Sequence, residues 1–207
     1  MLLQTIAGLG LVQLREGDAS GVQLVIGRCL LAQTAQPAVD PGQVIEHQAL
    51  VGINPGASPR WATKRWPAEN FAKLCDLLAE REIRPVIIGT RDDSEAAENI
   101  ISMTKSKPVD LTGKTTITEL AALMKRLKCL VTSDSAPMHV AAAMKTPFVA
   151  LFGPTAPERH LPPSQNYAVV RRDLGCAPCY KPVCSDIRCM REIAVEDVMK
   201  AIEGCIR

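Results

Sequence analysis

From residue 49 onward, short apolar runs alternate with longer stretches whose apolar residues fall at helical spacing, and few architectures satisfy such an alternation. ALVGIN (49–54) reads as a buried strand closed by Pro55 and Gly56. Further strands are expected at PVIIG (85–89), VDL (109–111), CLVTS (129–133), FVALFG (148–153) and AVVR (168–171). Between them Pro67 opens a helix with Phe71, Leu74, Leu77 and Leu78 on one face. A second helix is expected from about Asp92 to Met103, with acids in its first turn where the helix dipole favours them. Others are expected at 116–127, 136–145 and 195–206. Strand–helix alternation of this kind predicts an α/β fold, a parallel sheet covered by helices on both faces. In such sheets ligands bind beyond the carboxyl ends of the strands. The chemistry is therefore expected in the loops after residues 54, 89, 111, 133 and 153.

The rest of the sequence narrows the class. A formal charge of +2 and an aromatic content of 3% argue against a nucleic-acid binder. No apolar run reaches the roughly 18 residues of a spanning helix. The apolar start MLLQTIAGLGLVQL lacks the preceding basic region and following cleavage site of a signal peptide. Eight cysteines in a well-patterned α/β chain are expected to be reduced, which places the protein in the cytoplasm. Residues 1–47 have short irregular apolar runs and end in the linker-like AQTAQPAVDPG, so they are read as a poorly defined segment before a domain at 48–207. The Gly8-Leu9-Gly10 pair lacks the third glycine and the βα setting of a dinucleotide fingerprint, and is discarded.

In the first loop, Pro55, Gly56 and Ala57 turn tightly off a strand and permit close backbone approach to a ligand. Lys64 and Arg65 follow, just before a helix N-terminus that itself favours anions. A bound diphosphate would reconcile the two, and a solvated basic loop is the alternative. In the fourth loop Ser135 is the expected N-cap and Pro137 sits in the first turn. Ala141, Ala142 and Ala143 are expected to bring this helix close to the sheet, presenting its N-terminus as an anion site beside Asp134, with His139 one turn further on. Asp134 itself reads as a residue that fixes the loop or holds a sugar hydroxyl. The second loop offers Gly89, Asp92 and Asp93, acids for ribose hydroxyls or simply helix caps. The fifth offers Gly153, Pro154 and Thr155.

These segments together carry a resemblance. The order PGA…KRWP, a strand ending IIG, DLTGKTTITELAALM and TSDSAPMHVAAAMKTPFVALFGPTAPER resembles the C-terminal domain of the ADP-heptose:lipopolysaccharide heptosyltransferases. The tail CAPCYKPVCSDIRCMREI resembles their type II members. The resemblance covers about residues 48–207. It implies a Rossmann-like domain, the C-terminal half of a GT-B glycosyltransferase, binding ADP-heptose as donor and requiring no cofactor. It implies heptose transfer to the lipopolysaccharide inner core, with inversion, by an enzyme at the inner face of the inner membrane. Carried onto this sequence, Lys64 would contact the diphosphate and Thr115 would border the adenine. Asp134, Ser135, Ala136 and His139 would form the phosphate and sugar loop. Ala136 replaces a glycine common in the family, which makes backbone approach there less close. The N-terminal domain that supplies acceptor site and general base is not recognisable in residues 1–46, so this chain alone is expected to transfer no sugar. A domain for another nucleotide sugar, or a non-catalytic nucleotide-binding or interaction domain, remains the alternative.

Cys176, Cys179, Cys184 and Cys189 form a CxxCx4Cx4C cluster. Four thiolates at this spacing are competent for a tetrahedral metal ion, although a zinc ribbon usually shows a second CxxC. No metal is assigned from the sequence, and reduced thiols or disulfides remain open alongside it.

Overall fold

The computed structural model describes residues 49–206. The segment read as a connector, with its Gly8-Leu9-Gly10, lies outside the described residues. Six strands, β1 (Ala49–Asn54), β2 (Ile83–Ile87), β3 (Val109–Asp110), β4 (Cys129–Ser133), β5 (Phe148–Phe152) and β6 (Tyr167–Arg171), form one all-parallel sheet. Their spatial order is β3-β2-β1-β4-β5-β6. That order reverses direction between β1 and β4, the topological switch at which doubly wound sheets bind ligands.

The helices are α1 (Ala68–Ala79), α2 (Ser94–Met103), α3 (Ile117–Met124), α4 (Ala136–Ala143), α5 (Pro157–His160), α6 (Arg188–Arg191) and α7 (Val195–Cys205). Alternate residues of each strand serve opposite faces. Val149 and Leu151 of β5 pack with Phe71, Leu74 and Leu78 of α1 and with Val198 and Ile202 of α7. Phe148, Ala150 and Phe152 pack with Met124 of α3 and with Met138 and Ala141 of α4. Burial of this kind contributes about 1.5–3 kcal/mol per large apolar side chain. Packing on the sheet rather than helix propensity therefore holds helices as short as α3 and α4.

The structure departs from the sequence reading in places that have physical causes. β2 begins at Ile83 rather than Pro85, because Ile83 and Arg84 pair with Ala49 and Leu50. Pro85 is tolerated inside it because short β3 pairs only with Val86 and Ile87 on that side. The helix expected from Asp92 is split. A 3-10 turn (Arg91–Asp93) comes first, closed by a capping box between Thr90 and Asp93, and α2 starts at Ser94. Of the three alanines of α4, Ala141 is buried and Ala143 is exposed, so one close approach to the sheet suffices. The one-turn helices α5 and α6 are too short to leave a periodic signal.

Asp76 on α1 ties down the end of α2. Its carboxylate accepts from the Thr104 hydroxyl at 2.5 Å, the Lys105 N–H at 2.9 Å and the Ser106 N–H at 2.8 Å. Burial is the largest single influence and pushes its pKa up, but the hydrogen bonds together outweigh it and hold the carboxyl below its ordinary value. A depressed carboxylate contributes stability that is present above the ordinary carboxylate pKa and lost as pH falls through the depressed one. Asp76→Asn should cost roughly 1 kcal/mol at neutral pH and flatten the acid limb of the stability–pH curve. Denaturant melts between neutral and acid pH check this, and an unchanged acid limb contradicts it.

Candidate functional site

At the carboxyl edge, β1 and β4 lie side by side with Asn54 opposite Thr132. The chain leaves them toward opposite faces, into α1 and α4, and a cleft opens between the departing loops. Asn54, 2% exposed, holds that cleft's floor. Its Nδ2 donates toward the Thr132 hydroxyl at 2.9 Å, the Ser135 hydroxyl at 2.9 Å and the Gly56 carbonyl at 3.2 Å. The Ser133 hydroxyl adds a bond to the same Gly56 carbonyl at 3.3 Å. The first and fourth loops are thus one hydrogen-bonded unit.

Above this floor lies a cavity of about 780 Å³. Its walls come from four of the five expected loops: Gly56 and Ala57, then Gly89 to Asp93, then Thr115 to Ile117, then Asp134 to Pro137. Lys64 stands at the end of a 3-10 turn (Pro59–Lys64). Its ammonium lies 2.8 Å from the Asp134 carboxylate and 4.8 Å from the centre of the Trp61 ring. The pair is mostly buried, with side-chain exposures of 13% and 7%. A Lys ammonium has three donors, so the pairing still leaves capacity for a ligand oxygen.

The starts of α2, α3 and α4 all face this cavity, as parallel strand–helix units require. They are not equivalent. At α3 the Thr116 side chain accepts from the Glu119 N–H and the Glu119 carboxylate returns to the Thr116 N–H, so that end is satisfied within the chain. At α4 Ser135 occupies the N-cap position but makes no side-chain cap bond. Its hydroxyl is engaged with Asn54 and with Thr132 at 3.0 Å instead. Pro137 has no N–H, and that of Met138 goes to the Ser135 carbonyl at 3.1 Å. The remaining first-turn donor is the N–H of Ala136, beside Lys64's partner Asp134. Sequence reading gave Ser135 a capping side chain; it serves as a cross-loop clamp, which leaves that helix end without a side-chain cap.

Other expected residues take varied places. Gly56 and Gly89 line the cavity, and a Cβ on Gly56 would fall on the Asp93 carboxylate. That carboxylate accepts from the Thr90 N–H and hydroxyl, each at 2.9 Å, so Asp93 is the cap. Asp92 is exposed at the cavity wall. Arg65 is not in the lining; it donates to the Ala57 carbonyl at 3.1 Å and lies 3.9 Å from Asp93, two residues of the wall. Pro55 lies outside the cavity lining, beside Arg65 and Trp66. His139 is exposed on α4 and is not in the lining. Gly153 is also outside it. A Cβ there would lie 2.5 Å from the Met190 sulfur, so any larger residue would force Met190 of α6 to shift.

Sequence reasoning missed Asn54, Arg91 and an apolar wall of Ile117, Leu120 and Val140, all lining the cavity. Asn54 had a signal, a polar residue ending an otherwise apolar strand. Ile117, at the start of α3, is 66% exposed.

The family profile of glycosyltransferase family 9 (heptosyltransferase) matches residues 27–188. The chain belongs to that family. It is 31% identical over 160 residues to lipooligosaccharide heptosyltransferase 2 of Campylobacter jejuni, covering 74% of this chain and 50% of that protein. It is 36% identical over 130 residues to lipopolysaccharide heptosyltransferase 2 of Salmonella typhimurium, covering 61% and 37% respectively. Among solved structures, the Escherichia coli ADP-heptose lipopolysaccharide heptosyltransferase II superposes with a TM-score of 0.67 at 26% identity, over 80% of this chain and 48% of that one. A family 9 glycosyltransferase of Veillonella parvula superposes with a TM-score of 0.66 at 30% identity, over 78% and 47%. The chain thus spans about half the length of the heptosyltransferases it matches, and the fold is that of half of such an enzyme. Among its described residues, no helix is long and apolar enough to cross a membrane.

The clamp formed by Asn54 generates a directional expectation. Asn54→Ala removes the donor from three buried or half-buried oxygens and should cost about 1–3 kcal/mol. In Asn54→Asp the two hydroxyls can turn to donate to the new side chain, but a nearly fully buried carboxylate then faces the Gly56 carbonyl, so this variant should destabilise further. Thermal melts of the two variants decide it, and an Asp variant as stable as the parent would show that the clamp carries no weight.

Proposed function

We propose that this heptosyltransferase-family domain holds the donor, ADP-heptose, in a transferase that adds heptose to the lipopolysaccharide inner core. The observation that carries the reading is the cavity at the β1–β4 switch point, which an ammonium, an uncapped helix start and a set of apolar side chains line together. A nucleoside diphosphate has matching parts. Its base would cover Ile117, Leu120 and Val140 beside Thr115, and its ribose hydroxyls would reach Asp92. Its phosphates would lie against Lys64 and the N–H of Ala136, where the helix dipole adds to the attraction. Asp134 keeps Lys64 in place and is the nearest carboxylate for a sugar hydroxyl. Pro55, His139 and Gly153 are left out of the contact set.

In the transfer step an acceptor oxygen attacks the anomeric carbon while the bond to the diphosphate breaks, and the electron pair leaves on a phosphate oxygen. Lys64 and the start of α4 would stabilise that growing charge without a metal cofactor. Deprotonating the acceptor hydroxyl needs a base on the opposite side of the sugar. Asp134 is paired with Lys64 and Asp93 is a cap, so that base is assigned to residues outside this cavity, in the acceptor-binding half of the whole enzyme. Work at the inner face of the cytoplasmic membrane belongs to the same proposal.

Calorimetric titration should show ADP binding without added metal. Lys64→Ala should weaken ADP by about 10- to 100-fold, the range for a charge-assisted bond, and leave adenosine nearly unchanged. Equal losses for both ligands would remove Lys64 from the phosphates.

A further inference from the structure

His160 ends the one-turn helix α5, beside Asp134 rather than in the cavity lining. Its Nε2 is buried without a hydrogen-bond partner among the described residues. Its Nδ1 lies 3.9 Å from Oδ2 of Asp134, too far for a hydrogen bond and near enough for ionic attraction. A buried nitrogen left unpaired costs stability, and an apolar side chain would avoid that cost. What the imidazole offers instead is a second group able to carry positive charge. It faces the same carboxylate oxygen that Lys64 holds at 2.8 Å.

The ring is held in that place by the segment that follows β6. It packs on Tyr180 with ring centres 5.9 Å apart, and the Tyr180 hydroxyl accepts from the Ala156 N–H, at the start of α5, at 3.2 Å. The N–H groups of Cys179 and Tyr180 both donate to the Pro154 carbonyl, at 3.0 and 2.8 Å. Tyr180 adopts a left-handed φ of 55°, which a bulky side chain takes only where its surroundings demand it. The next residue, Lys181, accepts at its carbonyl from the Thr63 hydroxyl at 2.9 Å, and Thr63 precedes Lys64. Tyr180 and Lys181 thus steady both of the groups that flank Asp134. Cys176, Cys179 and Cys184 of the same segment, and Cys189 of α6, are free thiols.

We propose that His160 is a positioning residue for the phosphates: protonated, it takes a share of the Asp134 carboxylate and leaves the Lys64 ammonium freer to face a diphosphate. The ligand in this inference rests on the donor-binding reading; the pairing of His160 with Asp134 does not. With a neutral imidazole, one carboxylate offsets one ammonium. A proton on His160 gives the trio a net positive charge beside the start of α4, which draws a diphosphate more strongly. By linkage, a bound diphosphate favours that proton to the same degree. Among the described residues, the charged and titratable groups facing His160 are Asp134, from the loop before α4, and Tyr180. Arg159, its neighbour on α5, turns to the Tyr180 ring at 6.0 Å. Of these side-chain types, only histidine ordinarily changes charge between about pH 5 and 8.

Two measurements on the 207-residue chain separate the pairing from the ligand. At about pH 5.5, His160→Gln should lower the melting temperature more in the parent than in an Asp134→Asn background, and at about pH 8.5 that difference should vanish. An equal drop in both backgrounds at acid pH overturns the proposal. The second is calorimetric titration with ADP-heptose, whose phosphates lack the terminal ionisation near about pH 6 that ADP would bring. Parent affinity should weaken roughly 5-fold from about pH 6 to about pH 8, a modest coupling because the imidazole is 35% exposed. His160→Gln should hold the weaker value throughout. A His160→Gln variant that keeps the parent's pH course also overturns the proposal. Binding of ADP-heptose by neither protein rejects the donor reading instead, and the melting comparison then decides the pairing by itself.

Discussion

Parallel strands that send their following helices to opposite faces must leave a gap between their departing loops, and something has to hold that gap at a fixed width. Here it is the side chain of Asn54, reaching across from β1 to two hydroxyls of the β4 loop and back to its own Gly56 carbonyl. Each of these groups is buried or nearly so, and each would be costly to leave unpaired. Because the amide occupies the Ser135 hydroxyl, the start of α4 is left without a side-chain cap. The constraint that closes the floor of the cleft thereby creates the anion-seeking end above it.

The second dependence is electrostatic. Lys64 and Asp134 come from loops seventy positions apart and form a largely buried pair at 2.8 Å. A buried pair is weak evidence for stability, because desolvation offsets much of the attraction. Its value lies in placement. Asp134 fixes a flexible ammonium at the cavity wall, with Trp61 beneath it and the 3-10 turn behind it. The same carboxylate lies 3.9 Å from the His160 ring, which in turn packs against Tyr180 at 5.9 Å between ring centres. The arrangement of the cleft therefore extends into the fifth loop and the cysteine-bearing segment.

Much of the fold was legible because strands such as CLVTS and FVALFG are bounded by polar or turn-forming residues and match the observed β4 and β5 almost residue for residue. The parallel order follows from strand–helix alternation, and it directs attention to the carboxyl edge, where the cavity lies. Boundaries failed where pairing overrode a local signal, as at Pro85, or where a turn split a helix, as at Asp93. Among the lining residues, Gly56, Gly89 and Asp134 stand out by residue type just after strand ends, and Lys64 by a basic charge just before a helix start. Asn54 and the apolar wall do not, since their roles depend on which loops become neighbours. Arg65 and Lys64 are adjacent and look alike in sequence, yet Lys64 lines the cavity while Arg65 does not and instead engages Ala57 and Asp93 of its wall. His139 and Gly153 were drawn in by resemblance and by loop position, and their surroundings give them solvent and packing contacts instead.

The central claim is that a nucleoside diphosphate sits at the β1–β4 switch point, with its phosphates at the start of α4. Backbone amide NMR of the isotope-labelled chain during titration with ADP reads that placement directly. The largest shifts are expected at Gly56, Gly89, Thr115, Ser135 and Ala136, saturating together. Saturation with no change at these amides, or changes concentrated around Lys107, Lys128 and Thr146 at the opposite edge of the sheet, would contradict it.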